Sequence, residues 1–107
     1  MKGSSTGRSS SEVYFVFMNF DPEYERLQSL RLVLSHSTKQ LGSLELDLYL
    51  SNKHDEFLAN MLGPGTYKKR FSWVVIDGFS AEITDDQADL LRSAREVRIV
   101  EKDLELS

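Results

Sequence analysis

The sequence predicts an α+β sandwich in the order strand, helix, strand, strand, helix, strand, and three stretches carry that expectation. VYFVFM, Val13 to Met18, is an unbroken β-branched and aromatic run. GTYKKRFSWVVIDGFSAEIT, Gly65 to Thr84, reads as two period-two strands about a turn. TDDQADLL, from Thr84, opens like a capped helix and is followed by the apolar run VRIV. That order is the split βαβ pattern of ferredoxin-like domains, a four-stranded antiparallel sheet with two helices on one face and the first and third strands central.

Residues 1–12 begin MKGSSTGRSSS, with no apolar side chain after Met1 through Ser11 to offset the entropy of ordering, and are expected to form a disordered tail ahead of a domain over 13–107. In the first strand both alternating sets are apolar: Val13, Phe15 and Phe17 on one side, Tyr14, Val16 and Met18 on the other. A strand of this kind needs cover on both faces. The domain's helices account for one, and the expectation is that Tyr14, Val16 and Met18 form the outer set, available to a partner or a second copy; burial within a small core is the competing reading. Asp21-Pro22 ends the strand, because proline lacks the ladder N–H. The stretch RLQSLRLVLSHSTKQ fits a helix by Leu27, Leu30 and Leu34 or a strand by Leu30, Leu32 and Leu34. The next helix is clearer, with a stripe of Leu44, Leu48, Asp55, Leu58 and Leu62, flanked by Leu50, His54, Phe57 and Met61, and stopped by Gly63-Pro64-Gly65.

In the hairpin, Phe71, Trp73 and Val75 alternate with Arg70, Ser72 and Val74, and Phe79, Ala81 and Ile83 alternate with Ser80 and Glu82. Asp77-Gly78 supplies the turn signal, with Gly78 expected at positive φ. Thr84 and Gln87 form a capping box, Asp85 and Asp86 favour the positive end of the helix dipole, and Ala88, Leu91 and Ala94 face inward. Val97 to Val100 is the last strand.

These residues also resemble a known family. The run YKKRFSWVVIDGFSAEITDDQADLL is similar to the core of the peptidase inhibitor I9 domain, the propeptide of subtilisin-like serine proteases, and most resembles the plant version. The resemblance rests on Phe71, Ser72, Trp73, Asp77, Gly78, Phe79, Ala81, Thr84, Gln87 and Ala88, on the opening strand, and on His54, Asp55, Leu58, Met61 and Leu62. Glu23 to Gln40 aligns with nothing in the family, and Glu96 stands where the family usually has Gly. The resemblance implies the same ferredoxin-like fold and a subtilisin-like serine protease as partner, bound by the open sheet face. It further implies a C-terminal tail, here Glu101, Lys102, Asp103, Leu104, Glu105, Leu106 and Ser107, lying in the protease cleft as a product-like strand, and a chaperone role in folding the protease. It implies a secretory location, with a cytoplasmic one as the alternative.

Composition narrows the classes. At 107 residues one core is expected, and a net charge of −4 leaves no footprint for nucleic acid. There is no cysteine for a disulfide, thiolate metal site or nucleophile, and no apolar run of membrane-spanning length. His36 and His54, the two histidines, fall in no recognisable catalytic spacing, and His54 is expected on a helix surface or half-buried. No enzyme, cofactor or metal is expected. Two function classes stay open: a released prodomain or stand-alone inhibitor, monomeric when unbound, or an interaction module that dimerises through the same sheet face.

Overall fold

The computed structural model describes residues 10–34 and 39–104. The strands are β1 (Glu12–Met18), β2 (Lys68–Trp73), β3 (Gly78–Ile83) and β4 (Val97–Lys102), and the helices are α1 (Pro22–Leu34), α2 (Lys39–Leu62) and α3 (Asp85–Arg92). The sheet order is β2-β3-β1-β4, antiparallel throughout, so the first and third strands are central as expected for a ferredoxin-like domain. Residues 1–9 of the expected tail lie outside the described residues, whereas Glu12 already pairs with Ile83 inside β1.

One helix is added to the expected pattern. Asp21-Pro22 does more than end β1: the Asp21 carboxylate accepts the Glu23 N–H (3.0 Å) and its carbonyl accepts the Glu25 N–H (3.0 Å), so Asp21 caps α1 and Pro22 takes the first helical position. The ambiguous leucine run therefore resolves as helix through Leu34. It packs against α2 rather than the sheet, burying Tyr24 and Leu27 against Leu46 and Leu50.

α2 and α3 cover one sheet face. The core there joins Val16, Phe79, Ala81 and Ile83 to Leu58, Ala88 and Leu91. The inward stripe of α2 is Leu46, Leu50, His54 and Leu58, a spacing of four, while Leu44 and Leu48 of the expected stripe are exposed. Leucines stand on both sides of this helix, so composition did not decide which set turns inward.

The hairpin needs a second correction. Trp73 ends β2, Val74 to Asp77 form the turn, and Gly78 is the first residue of β3, not a positive-φ turn residue. Glycine is required there by proximity: a Cβ would lie 2.7 Å from the Val16 carbonyl oxygen and 3.0 Å from the Trp73 ring. Positive φ belongs to Gly63 and Gly65, in the turn after α2.

The α3 cap forms as expected. Thr84 Oγ1 accepts the Gln87 N–H (3.1 Å), and Gln87 Oε1 accepts the Thr84 N–H (2.9 Å). Thr84→Ala should cost about 1 kcal/mol in chemical denaturation, and a loss within error would place the helix start elsewhere. The turn into β4 holds without glycine at 96, since Asn19 N–H donates to the Glu96 carbonyl (2.8 Å) and Asn19 Nδ2 to the Arg95 carbonyl (2.7 Å).

Candidate functional site

The sheet face opposite α2 and α3 is the first candidate, and strand register decides which side chains it carries. On β3, Phe79, Ala81 and Ile83 point into the core, so Gly78, Ser80 and Glu82 point away from it. Tyr14 and Val16 pair with Ala81 and Phe79 and are buried with them, as is Met18. The expected outer set is therefore the inner one. Phe15 pairs with Ser80 and Phe17 with Gly78, and on the other side Phe71 and Trp73 pair with the same two residues.

The result is an aromatic cluster over a floor of two small residues. The Trp73 ring lies 5.5 Å from Phe15, 5.4 Å from Phe17 and 5.5 Å from Phe71, centroid to centroid. With no Cβ at Gly78, Phe17 and Trp73 close over the strand. Ile99 adds to the face from β4, the Arg98 guanidinium lies 6.0 Å from the Phe17 ring centroid, and Arg70 pairs with Glu82 at 3.1 Å on the rim. Among the described residues no helix covers this face, which leaves half-buried aromatic surface bordered by charge.

The expected tail starts later than the sequence suggested. Glu101 and Lys102 are still β4, opposite Phe15 and Tyr14, and the Asp103 N–H donates to the Val13 carbonyl (2.9 Å). Lys102 pairs with Glu12 at 2.6 Å. Leu104, 74% exposed, is the first residue beyond the sheet, and Glu105, Leu106 and Ser107 lie outside the described residues. Behind this exit the Tyr14 hydroxyl donates to Asp85, and burial together with that carboxylate pushes its pKa up to about 12.

A polar network sits beneath the other end of the hairpin. His54, expected at or near the surface, is fully buried. One ring nitrogen, Nε2, lies 2.9 Å from Asp77 Oδ1, and Nδ1 lies 2.7 Å from Ser72 Oγ. With Asp77 ionised, Nε2 carries the proton and donates, so Nδ1 accepts from the Ser72 hydroxyl. Lys53 ties the same carboxylate to Asp21, 2.7 Å away, and Tyr49 donates to Asp21 at 2.6 Å. Burial raises the Asp21 pKa, but Lys53 and Tyr49 outweigh it and hold it below the usual range.

Serine, histidine and aspartate are thus brought together from three places in the chain, a contact that the separation of positions 54, 72 and 77 concealed. The set has no catalytic access, because an imidazole with no exposed surface cannot meet a substrate. Its role is to fasten the β2–β3 turn to α2. Among the described residues no cluster of His, Cys, Asp and Glu could hold a metal ion, and no helix is long and apolar enough to cross a membrane.

Burial lowers the His54 pKa against the opposing pull of Asp77. The unfolded chain then takes up a proton near pH 6.5 before the folded one does, so stability should hold above that pH and fall as pH drops below it. Thermal unfolding between pH 7.5 and 5 measures this. A midpoint that does not fall over that range would mean that the folded protein protonates His54 as readily as the unfolded chain.

The peptidase inhibitor I9 family model matches residues 32–107. The subtilisin-like protease SBT2.5 of Arabidopsis thaliana is 43% identical over 103 residues, covering 88% of this chain and 13% of that protein. The subtilisin-like protease SBT2.6 of the same plant is 41% identical over 56 residues, covering 51% of this chain and 7% of that protein. The chain thus spans a small fraction of the length of these relatives. No solved structure gives a significant match.

Proposed function

We propose, since this chain belongs to the peptidase inhibitor I9 family, that it binds a subtilisin-like serine protease through the open sheet face and blocks its cleft with the segment after Asp103. The observation that carries the reading is the aromatic cluster of Phe15, Phe17, Phe71 and Trp73 on the face that the domain's helices leave bare. Apolar area of this kind supplies affinity when a partner covers it, and aromatic anchors ringed by charge are typical of such contacts. The chain leaves the sheet beside Val13 and Leu104 is exposed, which supports a segment that continues as a strand in a cleft. The domain itself is non-catalytic in this reading. Assistance in folding the protease would follow from the same complementarity, and a secretory location from the company such domains keep.

The test compares two charge insertions. Phe15→Asp, on the open face, should weaken inhibition of a sensitive subtilisin-like protease at least about tenfold. Leu90→Asp, on the exposed side of α3, should leave it within about twofold. Circular dichroism must show both variants folded. Equal inhibition by the two would remove the sheet face from the mechanism. The same bare face favours a second reading, a module that dimerises through it; a monomeric mass in solution is expected, and a stable dimer abolished by Phe15→Asp would favour that alternative.

A further inference from the structure

At the end of the sheet where β1 leaves and β2 turns into β3, a second apolar surface stands out. Val75 is 82% exposed and Phe20 78%, with Ile76 beside them. All three line an open groove of about 360 Å³ together with Tyr24 and Gln28 of α1. Exposed apolar side chains on a slack loop would mean little, but this loop is fastened. The Val74 carbonyl accepts from the Tyr24 hydroxyl (2.9 Å) and from Gln28 Nε2 (3.1 Å). The Met18 N–H donates to the Asp77 carbonyl (2.9 Å), and the Asp77 side chain is held by His54 and Lys53. The backbone entropy of presenting Val75 and Ile76 is therefore already lost before any partner arrives.

Two further facts indicate what covers this surface. It follows the aromatic face directly in the chain, because β1 ends at Met18, two residues before Phe20, and β2 ends at Trp73, two residues before Val75, so a body seated on the face lies next to the tip. The helix that fastens the tip also lies almost wholly outside the family match, which begins at residue 32. The Arabidopsis relative at 43% identity covers 88% of this chain, a share too large to leave α1 out. The aligned stretch is 13% of that relative, so the rest of that protein is far larger than this domain and offers a surface for the tip to meet.

We infer that Phe20, Val75 and Ile76, held out by α1, form a second docking contact that seats against an apolar surface of the protease domain. The inference rests on the docking reading above and extends it beyond the sheet. α1 acts as a positioning element, and the tip residues make the contact.

The experiment uses the full chain and the protease domain of that Arabidopsis relative, with inhibition constants for four proteins: the wild type, Phe15→Asp, the double variant Phe20→Ser with Val75→Asp, and the near-isosteric Val75→Thr. The double variant is expected to weaken inhibition at least about tenfold and Val75→Thr about two- to threefold, with unfolding midpoints close to the wild type because the altered side chains are exposed. If the double variant unfolds, Val75→Thr decides alone, and a constant equal to the wild type overturns the inference. Weakening by Phe15→Asp with the tip variants unchanged would overturn the tip contact and leave the docking face standing. No inhibition by the wild type, or none lost in any variant, would overturn the docking reading and the tip contact with it.

Discussion

Removing Leu104 to Ser107 is expected to weaken inhibition of a sensitive subtilisin-like protease by roughly 30- to 1,000-fold and to leave the domain folded. The fold should survive because β4 ends at Lys102 and, among the described residues, the last sheet hydrogen bond is made by Asp103. A cut at Glu101 would instead remove the partners of Tyr14 and Phe15 and confuse loss of fold with loss of function. The size of the effect follows from what an extended segment contributes in a cleft. Burying one leucine side chain is worth about 1.5–3 kcal/mol, and each main-chain hydrogen bond to the protease adds about 1 kcal/mol. Binding should outlast inhibition, since the sheet face still docks while the cleft stands open to substrate. Inhibition constants and a direct binding measurement on the same truncated protein separate the two. Undiminished inhibition would show that the cleft is not blocked by this segment, even with the sheet face engaged.

Gly78→Val is expected to lower stability by about 3 kcal/mol or more, a large fraction of what a domain of this size possesses. The cause is space rather than backbone conformation. The new Cβ meets a main-chain oxygen of the neighbouring central strand at 2.7 Å, and that oxygen can retreat only by moving β1. The two causes can be told apart with Gly78→Asn. Asparagine tolerates the left-handed region but still carries a Cβ, so it should be destabilising on steric grounds and mild if the position were a left-handed turn. Denaturant midpoints of the two variants decide; an Asn variant as stable as the wild type would sink the steric account. Because Phe17 and Trp73 close over Gly78, the residual folded Val variant should also lose affinity for the protease.

The sequence by itself determined what local chemistry writes directly: the order of the four strands and of the two helices that cover the sheet, the Thr84 cap, the stop at Gly63-Pro64-Gly65, and membership in a family whose pattern survives in FSW and DGF. These signals lie within a few residues of one another, where backbone preference and period-two alternation act without help from the rest of the chain. The face of β1 was undecidable locally, because both alternating sets are apolar. Only pairing with β3, whose alternation of Phe79, Ala81 and Ile83 against Gly78, Ser80 and Glu82 is cleaner, turns Tyr14, Val16 and Met18 inward and leaves Phe15 and Phe17 bare. Carrying the β3 pattern across the predicted pairing was the signal that could have found it. The inward stripe of α2 and the burial of His54 were hidden for the same reason, since leucines flank the helix on both sides and the partners Ser72 and Asp77 come from a distant hairpin. Tertiary structure decides such matters because burial belongs to a pair of surfaces: a single segment lists the side chains available, and the neighbouring element selects which of them leave water.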